Sequence, residues 1–61
     1  MIADEAIFET AHGLLKILGE QAAMECAEMA DSWAKRGDVE ASEIWKRVMA
    51  AVRKLQGAQP T

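Results

Sequence analysis

Tyrosine is absent from this 61-residue chain, and phenylalanine, proline, cysteine and histidine occur once each. Alanine leads the apolar set, so a bulky aromatic core is excluded and close helix-to-helix contact is favoured. The single cysteine, Cys26, rules out an intrachain disulfide. The only proline, Pro60, lies at the very end of the chain. No apolar run approaches the roughly 20 residues needed to cross a bilayer. The chain also lacks a charged start followed by an apolar stretch and a small-residue cleavage site, and a reducing, cytoplasmic setting is the expectation that follows.

What is present is a short, half-apolar, acidic chain with a net charge of −3. At this length it is expected to be one domain over 1–61, close to the stability threshold and in need of help from a second chain. The charge is unevenly spread. Residues 1–34 carry seven acidic side chains against Lys16, whereas residues 35–61 carry six basic ones against Asp38, Glu40 and Glu43. That division favours the two parts lying side by side, within one chain or between two.

The apolar spacing is helical throughout. Phe8, Ala11, Leu15, Leu18, Ala22, Cys26, Met29 and Trp33 follow one another in steps of three and four, which places them in one arc of a helix, widened by Ile7 and Leu14. Glu5, Glu9, Lys16, Glu20 and Asp31 fall on the far side. The pattern restarts with Ala41, Ile44, Val48, Val52 and Leu55, opposite Glu40, Glu43, Lys46, Arg47, Arg53 and Lys54. Between the two runs, Gly37 suits the left-handed residue that ends a helix and Asp38 the cap that begins the next. So tight a join makes the two helices fold back antiparallel. Asp4 is expected to cap the first helix, Gly57 to close the last, and Glu43 to pair with Arg47 one turn on.

Gly13 and Gly19 are the ambiguous positions, because each costs about 1 kcal/mol relative to alanine inside a helix. A break at Gly19 gives an all-α three-helix unit: a helix near 4–18 folded back on a hairpin of about 20–36 and 38–56, with a flexible tail at 57–61. Without that break, a long helix overhangs its partner and leaves Phe8, Leu14, Leu15 and Leu18 for a second chain to cover, giving a dimeric bundle.

The pattern of Gly19, seventeen residues, Gly37-Asp38, six residues and Trp45 resembles a group of short uncharacterised bacterial helical proteins. The likeness covers roughly the last forty residues. In that group the chain breaks after the first glycine, often with a proline where Ala23 stands here. It implies three helical segments and no particular activity.

Few residues carry chemistry. Glu9 and His12 have the Glu-x-x-His spacing of carboxylate-bridged metal bundles, because residues three apart on a helix converge on one ion. The inward-facing carboxylates that such a site also needs are missing, so no metal or cofactor is expected. Cys26 falls in the apolar stripe, where an unpaired cysteine packs as a small hydrophobe, and the only histidine is fourteen residues away. The basic residues of the last helix raise the possibility of a nucleic-acid-binding helix after a turn, against which stand the acidic whole and Glu40 and Glu43 on the same helix. Arg36-Gly37-Asp38 spells an adhesion tripeptide, but helix termination and capping already account for the glycine and the aspartate. Trp33 is expected in the core and Trp45 at its edge.

The function expected is therefore non-enzymatic: a protein–protein interaction or assembly module that self-associates, with a homodimer interface drawn from Phe8, Leu14, Leu15, Leu18, Ile44, Trp45 and Val48. Ile17 and Met24 are also expected to lack cover. A small regulator binding nucleic acid through the basic C-terminal helix is the runner-up, and a metal-binding bundle through Glu9 and His12 comes third.

Overall fold

The structure, a computed structural model, describes residues 3–57. Within them every regular element is helical: α1 (Asp4–Leu18), a single 3-10 turn (Gly19–Gln21), α2 (Ala22–Lys35) and α3 (Val39–Gly57). The chain breaks at Gly19 and runs straight through Gly13. Gly19 adopts φ 58 and ψ −128, a combination open to glycine and strained for any other residue, and its amide reaches back to the Leu15 carbonyl. Of the tail expected at 57–61, only Gly57 lies within the described residues. It is the last residue of α3 and not a left-handed stop beyond it.

The second turn is built from more specific parts. Gly37 takes φ 86; its amide donates to the Ala34 carbonyl and the Asp38 amide to the Trp33 carbonyl, both at 3.0 Å. These two bonds make a Schellman ending, which satisfies carbonyls that the last turn of α2 would leave unpaired. Asp38 then caps α3, its Oδ1 accepting the Ala41 amide at 3.0 Å. The expected cap at Asp4 is absent. Ala3 holds the cap position with no side-chain hydrogen bond, and Asp4 is already the first residue of α1. Its carboxylate is used elsewhere, accepting a hydrogen bond from Arg47 Nη2 at 2.9 Å.

α3 is the central element. It packs chiefly along α2 and secondarily along α1, while α1 and α2 touch little. The core consists of Ile7 and Ala11 from α1, Ala22 and Cys26 from α2, and Val48, Ala51 and Val52 from α3. The largest fully buried side chains are Val52 and Cys26. Alanines on all three helices let the backbones approach closely, and the same alanines keep the buried apolar volume small.

The buried faces are rotated slightly from the one read in the sequence. On α1 the buried residue is Ile7 and its neighbour Phe8 is 39% exposed; on α2 it is Ala30, with Met29 37% exposed. In each case the seam takes the adjacent residue, and on α2 the smaller one, as close approach requires. Trp33 is not in the core: it is half-buried, and the Arg36 guanidinium lies 5.3 Å from its ring centroid. Trp45 packs against the core cluster instead. The reason is positional. Asp4, the start of α1, meets α3 at Arg47 near its midpoint, so the Trp33 end of the hairpin has only two helices to bury it.

Candidate functional site

Among the described residues, helix packing leaves a shallow groove on each side of α3. One, of about 220 Å³, lies between α1 and α3 and is lined by Asp4, Ile7, Phe8, Arg47, Ala50 and Lys54. The other, of about 300 Å³, lies between α2 and α3 and is lined by Ala27, Ala30, Ala34, Ser42, Lys46 and Met49. Ser42 is 3% exposed and forms part of the α2/α3 seam. Nothing in the apolar spacing singles it out. The small residues Ala27, Ala30 and Ala34 stand around the same groove on the facing helix.

Asp4, Arg47 and Lys54 bring charge to the first groove, and Asp31, Ser42 and Lys46 bring polar groups to the second. Glu9 and His12 are both exposed on α1, and among the described residues no three His, Cys, Asp or Glu side chains come together in a way that could hold a metal ion. Cys26 is completely buried. Burial first, and the charge of Glu25 second, push its thiol up from the ordinary range. Both effects oppose the thiolate that nucleophilic or redox chemistry requires.

The basic face of α3 is partly committed to internal partners. Lys46 lies 3.6 Å from Glu43, and Arg47 joins Asp4 across the helix interface at 2.9 Å. The expected pairing of Glu43 with Arg47 is therefore replaced: Glu43 turns to the nearer lysine because Arg47 is drawn to the acidic start of α1. This contact ties the acidic start of the chain to its basic C-terminal helix.

The residues expected at an interface fall into three groups. Val48 is 3% exposed and belongs to the intrachain core, where it has no surface to offer a second chain. Leu14, Leu15, Leu18, Ile44 and Trp45 are half-buried and pack against that core, each keeping an outer edge in solvent. Phe8 lies open beside the α1/α3 groove. The most exposed large apolar side chains are Ile17, at 80%, Val39, at 67%, and Met24, at 55%. Ile17 and Met24 stand on either side of the bend at Gly19; Val39 stands at the start of α3 and carried no periodic signal.

None of the described helices is long and apolar enough to cross a membrane. Compared with protein-family models, with curated proteins and with solved structures, the chain matches none.

Proposed function

We propose that the chain is a non-enzymatic interaction module whose first partner is a second copy of itself. The observation that supports this reading is an imbalance: no fully buried side chain is larger than Val52, while Ile17, Met24 and Phe8 remain in solvent. A domain of this size hides only about 60% of the surface its unfolded chain exposes. Covering further apolar area at roughly 25 cal/mol per Å² is the most direct route to a more stable state. The lone buried thiol fits a reducing compartment such as the cytoplasm. The engagement of Lys46 and Arg47 by carboxylates weighs against the nucleic-acid reading, which needs those charges for phosphates.

Light scattering coupled to size exclusion, over a dilution series, tests the proposal. Dimers that dissociate on dilution are the expected result, and their proportion should fall in the double variant Ile17→Lys/Met24→Lys. Both side chains are exposed, so the helical circular dichroism of that variant should match the native signal. A chain that stays monomeric at the highest attainable concentration sinks the reading.

A further inference from the structure

Two properties of the bend at Gly19–Gln21 point to how a second copy is accommodated. The first is that the apolar stripe ignores it. Leu15 and Leu18 before the bend and Ala22 and Cys26 after it keep steps of three and four, so straightening the bend would leave one continuous amphipathic helix with a single buried face. The second is that little side-chain bonding holds the bend closed. No side chain caps the 3-10 turn or the start of α2, where the backbone bonds from Gly19 to Leu15 and from Ala22 to Gly19 stand alone, whereas the other turn adds the Asp38 side-chain cap to its Schellman bonds. Short 3-10 segments between helices are common hinge points, and a short hinge loop invites exchange of the element beyond it.

α1 is suited to such an exchange. It leans on α3 far more than on α2, and its docking set runs along one helix: Ile7 and Ala11 in the core, Leu14, Leu15 and Leu18 packed against it, and Asp4 on Arg47. We infer that the dimer forms by exchange of α1. Each chain straightens at Gly19 into one helix spanning α1 and α2, and each α1 docks on the partner's α3 with the contacts it makes at home. Two equal exchanges close a two-fold dimer, every docking contact of the monomer is recovered twice, and backbone hydrogen bonds broken by the bend are regained along the continuous helix. This inference rests on the self-association proposed above and specifies its geometry: on the straightened helix Ile17 and Met24, seven residues apart, share one face, and there the long helices of the two chains cover each other.

The test uses the native sequence first. Isotope-labelled and unlabelled protein are unfolded together, refolded at high concentration, and the dimer fraction is studied by isotope-filtered nuclear Overhauser spectroscopy. Cross-chain signals from the Ile7 methyls to Ala51 and Val48 are expected. A dimer that shows these contacts only within one chain overturns the exchange and leaves self-association standing; a sample with no dimer overturns both. Gly19→Ala provides an independent arm. Alanine is strained at φ 58 yet better than glycine in a straight helix, and an added Cβ meets nothing within 4 Å, so backbone preference alone decides the outcome. The dimer dissociation constant should fall roughly tenfold or more, since both effects act in each of the two chains. A variant that dimerises no better than wild type counts against exchange, whatever surface the dimer uses.

Discussion

The two ends of α3 are stabilised in different ways. Around Val52, at the end where α1 joins the hairpin, three helices meet and side chains from all of them close the core. Around Gly37 only two helices are present. Trp33 and Ile44 are half-buried, and the geometry is fixed by backbone and local contacts: the Schellman bonds, the Asp38 cap, the stacking of Arg36 on Trp33, and the Asp31–Lys35 pair at 3.1 Å. Packing and capping thus share the work unequally along one 19-residue helix. The capped end is specified by a few local residues, whereas the packed end depends on segments far apart in sequence and is the end at which the chain can rearrange.

The largest expected effect is at the packed end. Val52→Asp would place an unpaired carboxylate in a site with no solvent access, costing several kcal/mol, of the order of the whole stability of so short a chain. Loss of the helical circular dichroism signal in dilute buffer is the expected result. Val39→Asp, at the other end, changes a residue that is 67% exposed and should alter stability by less than about 0.5 kcal/mol. If the two variants behaved alike, the contrast between the ends would be wrong.

At the capped end the costs are smaller and arise from the backbone. Gly37→Ala forces a Cβ into φ 86 although no atom lies within 4 Å to clash with it, so the penalty is conformational and about 1–2 kcal/mol. Asp38→Ala removes the bond to the Ala41 amide and should cost about 1 kcal/mol. Urea midpoints of both variants measure this directly. The capped end is also the part most legible in the sequence, because Gly37 and Asp38 act on their immediate neighbours. The bend at Gly19 was harder to read, since a three-residue 3-10 turn brings the stripe back in phase and periodicity cannot register it. The rotation from Phe8 to Ile7 and from Met29 to Ala30 was hidden for a different reason: which of two adjacent apolar residues is buried depends on how closely the partner helix approaches. The exposed apolar surface was legible at Phe8, which was expected at an interface, and at Ile17 and Met24, which lie outside the stripe. Val48 lies in the intrachain core because α3, packed on two helices, buries a wider face than a two-helix seam would require.

Burial of Cys26 at the packed end gives a pH-dependent contrast. A thiol whose folded pKa is raised binds its proton more tightly than in the unfolded chain. Its contribution to stability is therefore complete below the unfolded value of about 8.5 and is lost as pH rises through the folded one. Thermal melts of wild type should fall off more steeply above that pH than those of Cys26→Ala. The two curves should run parallel at lower pH, offset by the cost of removing a buried sulfur.

The smallest effect concerns the ion pair that joins the acidic start of α1 to the basic face of α3. Asp4 and Arg47 meet at 2.9 Å, but both side chains are well exposed, at 85% and 46%. Exposed pairs contribute roughly 0.2–1 kcal/mol and are screened by salt. Arg47→Met, which keeps an apolar stem over the α1/α3 groove, should lower stability within that range in dilute buffer and by much less at about 1 M salt, where the Debye length is near 3 Å. A loss that persisted undiminished in high salt would mean that the arginine acts through the packing of its methylenes against Ile7 and Phe8. In that case the attachment of α1 to α3 would be apolar along its whole length, and the separation of acidic from basic residues in the sequence would have no part in holding the three-helix end together.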